Sequence, residues 1–199
     1  MELIVVTPPD YFNGEGDLIN QFFATGLQLL HIRKPANDPV MFRKLIKEIN
    51  PKNYSKISIH QHHDLAAEFS LQRLHFTEKY RKEVAAVRIA ALAAKGYMLS
   101  SSIHGLPETD DLDGFEYVFF GPVFNSISKV GYDSPLKSGF VLPEHRSKIF
   151  AIGGITESKL GVLKQMKFDG AAVLGTVWHQ SVSPLTAIKS LIKSINEFQ

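Results

Sequence analysis

Ser126, Ser128 and Lys129 close the stretch Tyr117-Val118-Phe119-Phe120-Gly121-Pro122-Val123-Phe124-Asn125-Ser126-Ile127-Ser128-Lys129. Its apolar start predicts a buried strand, which then hands two hydroxyls and an ammonium group to the loop at its carboxyl end. The pattern recurs where Ile149-Phe150-Ala151-Ile152 meets Gly153-Gly154, and where Gly170 to Leu174 meets Gly175-Thr176. Histidine adds proton-transfer and metal-binding chemistry. His60 and His62 alternate as strand residues on one face do, with His63 and Asp64 adjacent, which raises a transition-metal site. No partner ligands stand at a recognisable spacing, and two of the three histidines fall in the loop or the next helix, so no metal is assigned to them. Trp178 and the phenylalanines read as core packing.

Composition narrows the classes. The chain has 199 residues, is 44% hydrophobic, carries a formal charge of +2 and has no cysteine. That length is expected to form a single domain, residues 1–199. Disulfides, thiolate metal sites and cysteine catalysis are excluded. The small charge and scattered Lys and Arg argue against a nucleic-acid partner. No apolar run is long enough for a membrane span, and the start Met-Glu-Leu-Ile-Val-Val lacks the features of a signal peptide, so a cytoplasmic protein is expected.

The elements that must position these groups alternate in period. Strands are expected at Leu3 to Val6, Leu27 to Arg33, Ile57 to His60, Arg73 to Phe76, Tyr97 to Ser102, Tyr117 to Phe120, Ile149 to Ile152 and Gly170 to Leu174. Helical spacing appears in the segment from Asp17, a candidate cap, to Thr25. It appears again from Asp38-Pro39 through Ile49, Asp64 to Phe69, Glu83 to Lys95, Thr156 to Lys167 and Pro184 to Phe198. Pro107 to Leu112 suggests a helical turn. Val130 to Arg146 has no clear period and reads equally as a loop or a short helix.

Close to eight strands alternating with helices predict parallel pairing with right-handed crossovers. No nucleotide-binding glycine fingerprint follows the first strand, so the expected fold is an α/β protein of the compact (β/α)8 TIM-barrel type. In such a barrel the post-strand loops converge, bringing His31, His60, Ser102, Lys129, Gly153 and Gly175 to a common pocket. Glycines after strands seven and eight expose backbone N–H groups there and predict a phosphate site.

Five segments, in order, resemble the family of thiamine-phosphate synthase and the TenI-type thiazole tautomerases, over nearly the whole chain. They are Leu30-His31-Ile32-Arg33, Leu99 to His104, Phe120 to Lys129, Ala151 to Ile155 and Phe168 to Val173. The resemblance implies that Gly153, Gly154, Leu174 and Gly175 hold a thiazole phosphate. It places Arg33, Ser126, Ser128 and Lys129 on the pyrophosphate side and adds Ser102 to the substrate-binding set. A synthase joins thiazole phosphate to a pyrimidine diphosphate and uses magnesium. Its two metal carboxylates align here with Gln61, following His60, and with Tyr80, while Asp64 and Glu78 lie nearby in sequence. The family lysine two places beyond Arg33 is replaced by Pro35, with Lys34 adjacent.

A tautomerase needs an acid/base and no metal, and His31 stands where that branch has histidine. The branch also carries a histidine where this chain has Pro122, and His104 reads as the start of a helix. The implied function is an enzyme of thiamine biosynthesis acting on thiazole phosphate, TenI-like in preference to a diverged synthase. His31, Arg33 and Lys129 are its catalytic candidates. Magnesium and a pyrimidine diphosphate enter only with synthase chemistry, and a homodimer through a helix face is a family expectation. The alternative is a non-catalytic regulatory protein that binds thiazole phosphate or a related phosphate ligand.

Overall fold

Each apolar run pairs in parallel with the next in sequence, and the last returns to the first. In the computed structural model, which describes residues 1–105, 112, 114–124, 136, 139–179 and 181–197, eight strands close a barrel in the order β1 to β8. They are β1 (Glu2–Val6), β2 (Leu29–Ile32), β3 (Ile57–Ile59), β4 (Arg73–Phe76), β5 (Met98–Ile103), β6 (Phe115–Phe120), β7 (Lys148–Ile152) and β8 (Gly170–Val173). Closure is made by Glu2 to Val5 lying opposite Gly170 to Val173. The helices are α1 (Glu15–Ala24), α2 (Pro39–Glu48), α3 (Leu65–Glu68), α4 (Glu78–Glu83), α5 (Ala86–Ala94), α6 (Leu160–Gln165), α7 (Gly175–Trp178) and α8 (Pro184–Asn196). No helix among the described residues is long and apolar enough to cross a membrane.

Helix starts follow local chemistry. Asp38 accepts from the amides of Val40 and Met41 at 2.9 and 3.0 Å, with Pro39 in the first turn. Ser183 caps α8 in the same way. Asp17 is not a cap, contrary to expectation: α1 begins two residues earlier, after Gly14 at φ 80 with no side-chain cap. That entry turns Glu15 inward. The expected helix from Glu83 starts instead at Ala86, because Val84 and Ala85 are extended and separate α4 from α5. Residues 139–147 hold neither helix nor strand, while Pro107 to Asp111 and most of Val130 to Ser138 lie outside the described residues.

Alternation along the strands sorts side chains to two faces. Leu30, Ile32, Leu74, Phe76, Leu99, Val118 and Ile149 point outward and pack under the helices. Inside, Ile4, Val6, Phe119, Phe150, Ala172 and the ring of Tyr117 form an apolar cluster on the β6 to β1 side. The β2 to β6 side is different. Its inward positions carry His31, Ser58, His75, Ser100 and Tyr117, all buried. Half of the barrel interior is therefore hydrocarbon and half is a hydrogen-bonding surface.

Candidate active site

A cavity of about 530 Å³ opens at the carboxyl ends of the strands. Arg33, His60, His75, Thr77 and Ser102 line one side; Ile152 to Ile155 and Ala172 to Thr176 line the other. Of the expected residues, Arg33, His60, Ser102, Gly153, Gly154, Leu174 and Gly175 are thus brought together. Ser126, Ser128 and Lys129 lie outside the described residues.

His31 departs from expectation. It is fully buried and does not line the cavity, because β2 carries Arg33 one layer above it and the rings of His60, His75 and Phe119 pack around it. Arg33 itself is set at the rim by its backbone. Its N–H donates to the Thr7 hydroxyl at 3.0 Å, and the next amide, of Lys34, donates to Gln61 Oε1 at 2.9 Å.

On the glycine side, two turns interlock. Val123 N–H donates to Ile152 O at 2.9 Å and Phe124 N–H to Gly153 O at 3.1 Å, which ties the loop after β6 to the end of β7. Gly153 has φ 98, and a Cβ there would lie 2.8 Å from Pro122 Cα. Only glycine fits that close approach without strain. Among the described residues, the amides of Gly153 and Gly154 donate to no other group. They are free for an acceptor brought by a ligand.

Beneath the opposite side runs a chain of bonds that begins inside the barrel. Tyr117 OH lies 2.6 Å from His31 Nε2, and His31 Nδ1 lies 2.9 Å from His60 Nε2. His75, stacked on His60 with centroids 4.0 Å apart, bonds Ser100 Oγ at 2.9 Å and Ser102 Oγ at 3.0 Å. Burial pushes His31 and His60 well below the usual 6.5, and His75 down to about 3, with like charge from neighbouring cations adding to the effect. Burial likewise raises the Tyr117 phenol. The network is neutral at pH 7. His60 Nδ1 is buried without a partner.

One ring nitrogen from each of His31, His60 and His75 lies within 4.8 Å of the others. The arrangement does not suit a tetrahedral ion. His31 and His75 have both nitrogens engaged, and the stacked His60 and His75 rings, 28° apart, run side by side where ligation needs convergent nitrogens. The His60, His62, His63 grouping disperses too. His62 turns to Phe42, and His63 Nε2 binds the carbonyls of Ile59 and His75 at 3.1 Å each.

The magnesium positions fare no better. Gln61 is held by the Lys34 amide, Tyr80 stacks on Phe76, and Glu78 is paired with Lys82 and His104. Asp64 is exposed at the start of α3. Among the described residues no carboxylate lines the cavity. Magnesium selects carboxylate and phosphate oxygen, so this donor set does not fit it. Lys34 is also committed elsewhere, in a buried pair with Glu15.

From the sequence, His75 and Tyr117 are strand residues with no role in the site. The available signal was parity: each stands an even number of residues from another inward position on its strand, and both fall on the side that already holds His31 and Ser100.

Residues 3–177 match the family described as thiamine monophosphate synthase. None of the curated proteins compared matches the chain. Among solved structures, a thiamine phosphate pyrophosphorylase from Bacteroides thetaiotaomicron is 26% identical with full coverage of both chains and a TM-score of 0.79. One from Pyrococcus furiosus is 18% identical, covering 98% of this chain and 96% of its own, at 0.72. A phosphoribosyl anthranilate isomerase from Thermus thermophilus, 13% identical over both whole chains at 0.59, shares the fold.

Proposed function

Since the chain belongs to the thiamine monophosphate synthase family, matching it over residues 3–177, we propose that it acts on a thiazole phosphate and moves a proton on the ring, as a TenI-like tautomerase does. The observation that carries this reading is the make-up of the cavity: neutral His60 and His75 on one side, glycine amides on the other and, among the described residues, no carboxylate between them. The phosphate lies against the amides of Gly153, Gly154 and Gly175, with Leu174 shaping the turn and Arg33 adding a cation across the opening. That leaves the heteroaromatic ring over the histidine side, within reach of Ser102.

Displacement of pyrophosphate asks for more. Charge builds on the leaving group, and a synthase offsets it with magnesium held by carboxylates. Arg33 remains in the cavity, and Lys129 with Ser126 and Ser128 belongs to the proposal through the family loop alone. Proton transfer needs only a base whose neutral form prevails at working pH, which burial of the imidazoles supplies. His31, fully buried, then acts through His60 and does not touch substrate.

Two assays run side by side test the proposal. Tautomerisation of the thiazole carboxylate phosphate is expected without added metal and with EDTA present. Formation of thiamine phosphate from thiazole phosphate and pyrimidine diphosphate with magnesium, without tautomerase turnover, would overturn it in favour of the synthase. Binding of thiazole phosphate with neither turnover would favour the non-catalytic binder.

A further inference from the structure

We propose that Tyr117, His31 and His60 form a proton relay from the barrel interior to the cavity, with His60 as the group that exchanges a proton with the ligand and His31 as the residue that holds the excess proton. The inference rests on the proton-transfer reading above and extends it to named atoms.

The geometry is continuous. Tyr117 OH to His31 Nε2 is 2.6 Å and His31 Nδ1 to His60 Nε2 is 2.9 Å, so each imidazole is joined through both or one of its nitrogens to the next group. Only His60 of the three lines the cavity. Its remaining nitrogen, Nδ1, is buried and has no protein partner. A buried polar atom with no protein partner asks for an explanation, and for His60, which lines the cavity, a ligand group supplies one. Its neighbour His75 does not compete for the role, since both of its nitrogens are satisfied by Ser100 and Ser102.

The tautomers then follow from one choice. With Nδ1 of His60 bare, its hydrogen is on Nε2 and donates to His31 Nδ1; His31 carries its own hydrogen on Nε2 and donates to the Tyr117 oxygen. In the reaction a ring C–H bond of the ligand breaks, its electron pair stays in the ring system, and the proton forms an N–H bond at His60 Nδ1. The Nε2 hydrogen of His60 crosses to His31 Nδ1. His31 is now the imidazolium, with its Nε2–H on the Tyr117 oxygen, and His60 is neutral again. Reversal of the two transfers returns one proton to a different carbon of the ligand, so atoms and charge balance and no co-reactant is needed. Burial disfavours the His31 imidazolium, so the charge is transient, and the Tyr117 oxygen that accepts from it offsets part of that cost.

The test uses the full chain labelled with 15N in histidine. A through-hydrogen-bond 15N–15N coupling between His31 Nδ1 and His60 Nε2 is expected, as is a shift of the His60 Nδ1 resonance on adding thiazole phosphate. Tyr117→Phe should move the His31 Nε2 resonance. It should also lower kcat about tenfold with KM within twofold, and change the solvent deuterium isotope effect, a part of the 10²–10⁴ that acid/base catalysis supplies. A lost coupling, an unmoved His60 Nδ1, or a kcat within twofold at the parent isotope effect would each overturn the relay. A parent protein without tautomerase turnover removes the activity reading alone, and the two resonance measurements on the parent still decide the relay.

Discussion

Lys34 Nζ lies 2.7 Å from Glu15 Oε1, and neither side chain reaches solvent. The same ammonium donates to the carbonyls of Pro8 and Asp10 at 2.9 Å each, so one side chain from the end of β2 gathers the whole loop between β1 and α1. Burial raises the Glu15 carboxyl and lowers the Lys34 ammonium, each opposed by the partner. Removing one member strands the other. Lys34→Met is expected to destabilise the fold by about 3–5 kcal/mol, and adding Glu15→Leu should recover most of the loss. Urea denaturation of the single and double variants reads this directly.

Acid should unfold the protein early. His63 is held at about 4 and His75 at about 3, with His31 and His60 lowered in the same direction, chiefly by burial. An unfolded histidine takes its proton near pH 6.5, so below that pH the unfolded state binds more protons than the folded one. Stability is complete above about 6.5 and declines as pH falls towards 4, by about 1.4 kcal/mol per unit for each such group. Denaturation midpoints from pH 8 to 4.5 would show a plateau and then a fall; a flat profile would contradict the buried neutral network.

Gly153 and Gly175 should respond oppositely to alanine. At Gly153 the φ of 98 and the 2.8 Å approach to Pro122 make the change costly, about 1–3 kcal/mol. At Gly175 a Cβ meets nothing closer than His179 Nδ1 at 4.0 Å, so stability should stay within about 1 kcal/mol. Affinity for thiazole phosphate should nonetheless fall about tenfold in Gly175→Ala, the cost of crowding one charge-assisted bond. Calorimetric titration beside a melting curve separates the two effects.

Magnesium should leave ligand binding unchanged. With Gln61, Tyr80 and Glu78 all engaged outside the cavity, titration of thiazole phosphate in EDTA and in millimolar magnesium is expected to give dissociation constants within about twofold. A tenfold gain with the ion would mean that another donor set holds it.

The barrel was legible because its elements are marked by period. Short apolar runs followed by Pro or Gly identify β1, β6 and β7 without tertiary information, and the Asp38-Pro39 start with its helical stripe identifies α2. The glycine turns after β7 and β8, with Arg33 after β2, were legible for the same reason, since a strand's end fixes which loop faces the cavity. Depth was not. Whether His31 or Arg33 meets the opening depends on the stagger of neighbouring strands, which pairs His31 with Ser58 and leaves Arg33 beyond the ladder. The Glu15 pair was hidden because it joins residues on different units through a buried charge, which no local pattern announces. His75 stayed hidden in a short strand whose partners, Ser100 and Ser102, belong to the next one.

The division of the barrel interior into a hydrocarbon half and a hydrogen-bonding half bears on how this protein tolerates change. On the side of Phe150 and Ala172, a conservative swap alters volume and is felt as lost stability. On the side of His31, Ser100 and Tyr117, replacements of similar size leave the packing filled and break a bond instead. A survey of every interior substitution, scored once for folding and once for turnover, would therefore separate into two sectors around the barrel axis. The boundary would run along β6, where the Tyr117 ring packs in the apolar cluster beside Phe119 and Phe150 while its hydroxyl bonds His31.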